Sequence, residues 1–256
     1  MRNLKLTLSY DGTDFNGWQT QPGYRTVQET LEKAIEAVNG KKVFANASGR
    51  TDAGVHAVGQ VVNFYCDTRL TPRTLVRALN AHLPNDVAVS CCSEAGQSFD
   101  ANKDALRKMY RYVIIDSPTR SPFLQRFATP SRHRLDADKM AEASRCLIGR
   151  HDFHSFETEW PNRMTSIRTI THLAVNRVGD YLWIDVEADG FLYNMVRAIA
   201  GTLMNVGRGY WPVEKVAEIL IAEDRTKAGP TAAAQGLFLM RVLYPEGTEK
   251  SDDEGR

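Results

Sequence analysis

The 256-residue sequence lacks any long hydrophobic run. None of its apolar stretches approaches the roughly 18–20 residues that a membrane-spanning helix requires, which argues against a helical membrane protein. The first residues, Met1 to Lys5, lead directly into an alternation of apolar and polar side chains. We therefore expect no signal peptide and a cytoplasmic protein with no membrane partner.

Residues that bind metals or form disulfides are scarce as well. His151 and His154 are three positions apart but have no cluster of cysteines or carboxylates of suitable spacing nearby, so they fall short of a zinc site. Neither of the common glycine-rich phosphate-binding loops is present, and we expect neither a metal nor a cofactor. The four cysteines show no metal-binding spacing, and we expect small buried or half-buried hydrophobic residues in a reducing compartment at Cys66, Cys91, Cys92 and Cys146.

Net charge is also low. The sequence has 32 basic and 31 acidic residues, which does not by itself indicate a nucleic-acid-binding protein. The charges are unevenly distributed, because between Lys103 and Arg134 eight basic residues oppose two acidic ones, whereas the segment from Glu246 onward is acidic. A basic segment of this kind is either a solvated surface or a phosphate-binding site, and charge alone does not decide between them.

Hydrophobic periodicity predicts strand, helix, strand, strand, helix and strand along the first half of the chain. The first helix begins after Thr26, which forms a capping-box pattern with Glu29, and it ends at Gly40. The second helix, predicted over 71–82, turns apolar residues inward and places arginines outward at Arg69, Arg73 and Arg77. The strands are predicted at 4–10, around 43, at 58–65 and at 85–93. This order is the split βαβ arrangement of ferredoxin-like folds.

The same order returns in the second half without a letter-for-letter repeat. Two such units side by side predict an α/β protein of the α+β type, with one continuous, mixed but mostly antiparallel sheet and a central cleft. We divide the chain into an N-terminal half (1–104), a C-terminal half (105–245) and an acidic tail (246–256) whose composition predicts disorder. The second-half elements are predicted at 108–116, 137–147, 167–177, 181–188, 192–206, 213–222 and 235–244.

The stretch from Ser48 to Ala57 carries the clearest chemical signal. It places Asp52 between two glycines, with Arg50 two residues before the aspartate and a predicted strand directly after the stretch. Closely spaced glycines indicate a tight turn or a close backbone contact. Asp52 is thus predicted in a loop that enters a sheet, a common position for reactive side chains. Taken alone, an aspartate in such a loop is more often a turn former or a helix cap.

The eight residues from Gly49 to His56, Gly-Arg-Thr-Asp-Ala-Gly-Val-His, resemble the catalytic motif of the TruA family of tRNA pseudouridine synthases. Ala198 and Ala233 depart from the residues usual in that family, as does the segment 102–104, but none of these positions is expected in the active site. The likeness extends over most of the chain, in segments 15–19, 26–28, 149–156, 167–170, 229–232, 235–239 and 244–245.

The resemblance implies an active site of three residues and a fourth that contacts the substrate. Asp52 is the essential carboxylate. Tyr110, on the strand that begins at Lys108, matches the tyrosine that holds the target base by stacking or relays a proton. Arg197 lies on an otherwise apolar helix, where a guanidinium needs a partner, and it matches the arginine that keeps the aspartate ionised. Arg50 matches an arginine that helps to occupy the space of the flipped nucleotide.

The implied function is the isomerisation of uridine to pseudouridine at positions 38, 39 and 40 of the tRNA anticodon arm, which needs no metal or cosubstrate. The resemblance also implies a homodimer in which one tRNA touches both subunits. Whether Asp52 attacks C1′, adds to C6 or removes the 2′ proton stays open. The alternatives are a synthase of the same family with another target position, a non-catalytic RNA-binding paralogue, and a hydrolase or transferase that uses Asp52 as a general base.

Overall fold

A computed structural model of the protein describes residues 1–119, 121–158 and 165–246. The chain divides into two units, one consisting of Met1–Leu106 with the residues from Leu239 onward and the other of Arg107–Phe238. Both units combine helices with mostly antiparallel strands, which confirms the predicted α+β class. The acidic tail predicted to be disordered lies outside the described residues beyond Glu246.

The first unit is built on the strand β1 (Arg2–Tyr10), which is antiparallel to both β3 (His56–Cys66) and β4 (Val87–Ala95). A two-residue strand, β2 (Asn46–Ala47), pairs with the other side of β3. The last strand, β10 (Leu237–Leu243), belongs to this unit from Leu239 onward, so the strand order is β4-β1-β3-β10. The alternation predicted for β1 buries its leucines completely on one face, at Leu4, Leu6 and Leu8.

Two helices belong to this unit, α1 (Val27–Asn39) and α2 (Pro72–His82). Gly40 ends α1 as predicted, in a left-handed conformation at φ +73°. The predicted capping box is wrong, because the Thr26 hydroxyl is buried and makes no hydrogen bond in the described part of the chain.

Two main-chain carbonyls replace this cap at the start of α1. The N–H groups of Val27 and Gln28 donate to the carbonyls of Gly17 and Trp18, at 3.2 and 3.0 Å. Helix ends leave their first N–H groups without intrahelical partners, so this contact satisfies α1 and also fixes the loop that supplies the carbonyls.

In the second unit, four strands pair in antiparallel fashion. In their order across the sheet they are β5 (Arg107–Asp116), β9 (Tyr181–Ala188), β8 (Ile167–Val178) and β7 (Gly149–Asp152). A three-residue strand, β6 (Thr129–Ser131), runs parallel to β5. The predicted hairpin between β8 and β9 is confirmed, with Gly179 at φ +60° in its two-residue turn. Neither β6 nor β7 was predicted from the sequence.

The helices of this unit are α3 (Ala137–Ser144), α4 (Met195–Gly207) and α5 (Lys215–Ala222). The residues of α4 are nearly all buried, in keeping with its apolar sequence. Predicted as 192–206, α4 starts three residues later, because Asn194 has a φ of +61° that a right-handed helix does not accept.

The strand β10 and the residues after it pack with the first unit from Leu239 onward, whereas the sequence-based division kept them in the second half. The hydroxyl of Tyr244 donates to the carbonyl of Ala101 at 2.6 Å, and the N–H of Leu106 donates to the carbonyl of Leu243 at 2.8 Å. At Gly59 of β3 the neighbouring strand β10 is so close that an added Cβ would lie 2.5 Å from the carbonyl oxygen of Met240. These contacts explain why the closing segment groups with β3.

The cysteines follow the expectation in part. Cys66 and Cys92 are buried and Cys146 is half-buried, but Cys91 is exposed, and all four are free thiols. Within residues 1–119, 121–158 and 165–246, no three His, Cys, Asp or Glu side chains are grouped so that they could hold a metal ion. None of the described helices is long and apolar enough to span a bilayer.

Candidate active site

Asp52 is half-buried in the loop between β2 and β3, and hydrogen bonds fix the backbone on both sides of it. Before it, the fully buried amide of Gln60 accepts a hydrogen bond from the Ser48 hydroxyl at 2.7 Å and donates to the Gly49 carbonyl at 2.8 Å. After it, the N–H of Val55 donates to the carbonyl of Asp52 at 3.1 Å. The loop that carries the predicted catalytic carboxylate therefore has a defined conformation.

Tyr10, the last residue of β1, holds the residue directly before Asp52. Its phenol lies 2.8 Å from the hydroxyl of Thr51, and both side chains are buried. Burial raises the pKa of Tyr10 to about 12, although hydrogen bonds with Thr51 and Gln60 act in the opposite direction. The phenol thus remains protonated across the physiological range.

The loop of residues 12–18 lies against the Asp52 loop through its backbone. The N–H of Trp18 donates to the carbonyl of Thr51 at 2.9 Å, and the N–H of Gly54 donates to the carbonyl of Phe15 at 3.3 Å. The sequence left open whether the two aromatic rings of this loop stack on bases or cover the core. Phe15 and Trp18 are each only 3% exposed, so they cover the core.

Two glycines permit this close contact between the loops. A Cβ on Gly12 would lie 2.0 Å from the carbonyl oxygen of Val55, and one on Gly17 would lie 2.7 Å from that of Thr51. Gly17 also has a φ of +82°, which favours glycine on conformational grounds. Any larger residue at either position would displace the backbone next to Asp52.

Arg50 is exposed at the start of the same loop. Within the part of the chain that the structure describes, none of the ion pairs or hydrogen bonds engages its guanidinium. An exposed guanidinium of this kind is available to a phosphate or a base.

Tyr110 and Tyr112 lie on one face of β5, as the alternation predicts. Tyr110 is 8% exposed and packs edge-to-face on Phe191, with ring centroids 5.0 Å apart. The hydroxyl of Tyr112 is hydrogen-bonded to Thr129 and donates to the carbonyl of Ala233 at 2.9 Å, so this tyrosine is a structural residue of the core.

Arg197 projects from the first turn of α4 and is half-buried, where the sequence predicted burial. Its Nε donates to the carbonyl of Ala232 at 2.7 Å and its Nη1 donates to Oδ1 of Asn194 at 2.8 Å. Burial raises the pKa of Tyr112 to about 12, while the positive charge of Arg197 acts in the opposite direction. Arg197 and Tyr112 donate to the carbonyls of two consecutive residues, Ala232 and Ala233, so Arg197 lies near this tyrosine of β5.

The segment that holds Arg197 is itself packed tightly on α4. A Cβ on Gly201 would lie 1.8 Å from the carbonyl oxygen of Pro230, and the N–H of Gly229 donates to the hydroxyl of Thr202 at 2.9 Å. The carbonyl of Ala232 is fixed as a consequence. Packing thus accounts for segment 229–232, one of those that suggested the resemblance.

The family of the chain is decided by comparison with known proteins. A family model described as tRNA pseudouridine synthase matches residues 7–102 and 143–245. The chain belongs to the tRNA pseudouridine synthase family.

Several relatives in this family, each named tRNA pseudouridine synthase A, match nearly the whole chain. The protein of Thermoanaerobacter pseudethanolicus is 41% identical over 95% of this chain and 100% of its own length. That of Pelobacter propionicus is 44% identical over 95% of this chain and 100% of its own length. That of Aeromonas hydrophila is 42% identical over 94% of this chain and 90% of its own length. Among solved structures, a Cbf5-Nop10-Gar1 complex aligns at 11% identity and a TM-score of 0.37, over 92% of this chain and 57% of that one.

The segments that match the tRNA pseudouridine synthase family include Asp52, Arg50 and Arg197, whereas Tyr110 lies between them. Asp52 and Arg50 belong to the first unit, and Tyr110 and Arg197 belong to the second. The pairing of Asp52 with Arg197 stays a prediction.

Carboxylates pair with part of the basic stretch that the sequence singled out. At least four of its seven described cations form ion pairs with carboxylates: Lys103 with Asp100, Arg107 with Glu187, Arg111 with Asp185, and Arg134 with Asp116 and Asp180. Arg120, the eighth, lies outside the described residues. Structural pairing therefore accounts for much of this basic charge.

Sequence reasoning missed the residues that support the site. Tyr10, Gln60 and Gly17 contact the Asp52 loop from other segments, and nothing in their local sequence indicates that role. From the sequence, Lys108 is one of the basic residues of 103–134 and the start of the strand that carries Tyr110. Burial lowers its pKa to about 8, so it is the most perturbed lysine among the described residues.

Proposed function

We propose that this chain isomerises uridine to pseudouridine in tRNA, with Asp52 as the essential catalytic carboxylate. One observation carries the proposal: in a chain of the tRNA pseudouridine synthase family, hydrogen bonds from Tyr10, Gln60 and Trp18 fix the loop on which this aspartate lies. A turn former needs no such support from three other segments. A reacting carboxylate needs it, because catalysis depends on holding the group in one orientation.

The chemistry requires little besides this carboxylate. The bond between C1′ of ribose and N1 of uracil breaks, the base rotates, C1′ bonds to C5, and the proton of C5 is lost while N1 gains one. No group is added or removed overall, so the reaction balances without a metal, redox partner or cosubstrate. An ionised aspartate can attack C1′, add to C6 or remove the 2′ proton, and all three routes are compatible with Asp52 at this position.

We further propose that Arg197 pairs with Asp52, and that Tyr110 contacts the target base. The guanidinium of Arg197 is held at Nε and Nη1 by Ala232 and Asn194, which gives it a fixed direction. The ring of Tyr110 is set edge-to-face on Phe191, suited to present a rigid aromatic surface to a base. Arg50, exposed beside the carboxylate, is suited to the space that the flipped nucleotide leaves.

The finer features of the proposal follow the family. We propose uridines 38, 39 and 40 of the anticodon arm as the targets, a homodimer as the active form and the cytoplasm as the location. A uridine in a folded stem must leave its stack at a cost of a few kcal/mol, which contacts to the RNA backbone offset.

The test is to incubate the protein with unmodified tRNA transcripts in buffer that contains a chelator and no nucleotide, and to map pseudouridine by position. We expect product at positions 38–40 and nowhere else. Product at another position would overturn the assigned target, and tRNA binding without product would favour a non-catalytic paralogue. A requirement for a metal or nucleotide would favour a different reaction with Asp52 as general base.

A further inference from the structure

The helix α2 and the turn before it carry a group of exposed arginines that the proposed active site does not use. Arg69 precedes the helix, and Arg73 and Arg77 lie one turn apart on its outer face. We call these three residues the α2 arginine surface. Successive members on the helix are about 6 Å apart along its axis.

The charge of this surface is uncompensated. In the described part of the chain, none of its three arginines forms an ion pair or a side-chain hydrogen bond. Two arginines of the basic stretch 103–134 behave differently, since Arg111 and Arg134 are each bound to carboxylates. From Thr68 to Asn85 the sequence contains no acidic residue at all, in a chain whose basic and acidic residues are otherwise balanced.

Hydrogen bonds hold α2 and the turn before it in place. Thr71 caps α2 by accepting from the N–H of Thr74, and the side chain of Asn80 both donates to and accepts from the backbone of Val89 in β4, each at 2.8 Å. The guanidinium of Arg2 donates to the carbonyls of Thr68 and Leu70, at 3.0 and 2.8 Å, on either side of Arg69. The backbone positions from which the three arginines project are therefore defined by these bonds.

Arg69, the first member of the α2 arginine surface, lies away from the Asp52 loop. That loop enters β3 at His56, and the turn with Arg69 leaves β3 at Cys66. A strand of this length spans about 35 Å, so Arg69 is at the opposite end of the strand. A ligand that reaches both places must be large.

We propose that the α2 arginine surface binds phosphates of tRNA that lie outside the stem-loop carrying the target uridine, an inference that rests on the proposed function. Guanidinium groups match phosphate geometry, and an RNA backbone presents phosphates at regular intervals over long distances. A folded tRNA extends well beyond its anticodon arm and is large enough to contact both places. The surface thus adds affinity and orientation without taking part in the chemistry.

The test compares an Arg69→Ala/Arg73→Ala variant with the wild type on whole tRNA and on an isolated anticodon stem-loop. The matched control is Lys33→Ala/Lys139→Ala, which also removes two exposed positive charges, but ones paired with Glu29 and Asp136. For whole tRNA we expect the dissociation constant of the arginine variant to rise about tenfold near 0.1 M salt. The plot of the logarithm of the association constant against the logarithm of salt concentration has a negative slope. In the arginine variant its magnitude should be smaller by about 1.4–1.8.

The affinity of the arginine variant for the isolated stem-loop should stay within about twofold of the wild type, and so should its kcat on saturating tRNA. The lysine control should bind both whole tRNA and the stem-loop within about twofold of the wild type. Unchanged affinity and salt slope on whole tRNA would overturn the inference. An equal loss on the stem-loop would overturn it too, since the contact would then lie within the target arm. A wild-type protein that binds tRNA but makes no pseudouridine would instead refute the proposed function.

Discussion

The phenol of Tyr10 and the hydroxyl of Thr51 meet in a buried contact of 2.8 Å, one residue before Asp52 in the sequence. This bond joins the end of β1 to the loop that carries the proposed catalytic carboxylate. It is one of several contacts from distant segments that fix the backbone around Asp52. The account of function therefore makes predictions about residues that never touch the substrate.

The first prediction concerns Tyr10→Phe, which keeps the ring packed near Trp18 but removes the bond to Thr51. Because the loop loses one anchor and a buried hydroxyl loses its partner, we expect kcat for pseudouridine formation to fall about tenfold, equivalent to about 1.4 kcal/mol. The dissociation constant for tRNA should change less than about twofold.

Tyr65→Phe is the matched control for that variant. It removes a hydroxyl that donates to the carbonyl of Gln97 at 2.7 Å, near the other end of β3, where Asp52 is not affected. Equal losses of kcat in the two variants would show that the effect is general destabilisation and not positioning.

The second prediction compares two glycines with almost the same backbone conformation, Gly17 at φ +82° and Gly23 at φ +81°. Alanine at Gly23 meets nothing within 4 Å, so we expect a loss of about 1–2 kcal/mol of unfolding free energy, from the left-handed φ alone. Alanine at Gly17 would also meet the Thr51 carbonyl at 2.7 Å. Chemical denaturation should show a larger loss of unfolding free energy for Gly17→Ala than for Gly23→Ala. Pseudouridine formation should fall in Gly17→Ala but not in Gly23→Ala. Equal stability and activity of the two variants would contradict the proposed role of the contact between Gly17 and Thr51.

The third prediction separates the backbone role of Asn194 from its side-chain role. Asn194 has a φ of +61° and its Oδ1 accepts from Nη1 of Arg197 at 2.8 Å. Glycine keeps the left-handed conformation, whereas alanine strains it, but both remove the acceptor. We expect both variants to lose about tenfold in kcat and Asn194→Ala to be the less stable of the two in thermal unfolding. Full activity of Asn194→Gly would argue against a positioned Arg197.

The fourth prediction uses the buried carboxylate of Asp116 and its pH dependence. Arg177 binds both its oxygens, at 2.8 and 2.6 Å, and the N–H of Leu135 donates to it at 2.9 Å. Burial alone would raise the pKa of Asp116, but these hydrogen bonds and the charges of Arg177 and Arg134 outweigh it and lower the pKa. Asp116→Asn should cost about 3 kcal/mol of unfolding free energy at pH 7, because it leaves a cation without its partner.

The sign of the pH effect follows from that lowered pKa. Stabilisation by Asp116 is complete above the pKa of an unfolded aspartate, about 3.9, and is lost as the pH falls through the folded pKa. The difference in unfolding free energy between the wild type and Asp116→Asn should therefore become smaller below about pH 4. Asp180→Asn, whose exposed carboxylate meets Arg134 at 3.0 Å, should cost far less at any pH. A difference that does not change with pH would exclude the ionised carboxylate as the source of stability.

The sequence predicted the elements whose side chains alternate or repeat clearly, and it missed those whose form depends on the rest of the fold. The alternation of β9 led to its observed bounds, Tyr181–Ala188. The strands β6 and β7 are only three and four residues long, too short to show a period. The start of α1 was placed correctly at Val27, yet the cap was wrong because carbonyls of another loop, not Thr26, satisfy the helix.

The same limit applies to the candidate site. The run from Gly49 to His56 was enough to single out Asp52, because the residues that signal it are contiguous. The supports of the loop come from Tyr10, Gln60 and Gly17, which approach it only in the folded chain. No local pattern distinguishes a tyrosine that ends a strand from one that also holds a catalytic loop.

The most direct test of the account is single-turnover pseudouridine formation by Asp52→Ala on saturating tRNA, with the affinity for tRNA measured in the same samples. We predict no detectable product and a dissociation constant within about tenfold of the wild type, a change of roughly 1.4 kcal/mol or less. Formation of pseudouridine by this variant would contradict the central claim that the carboxylate of Asp52 carries out the reaction.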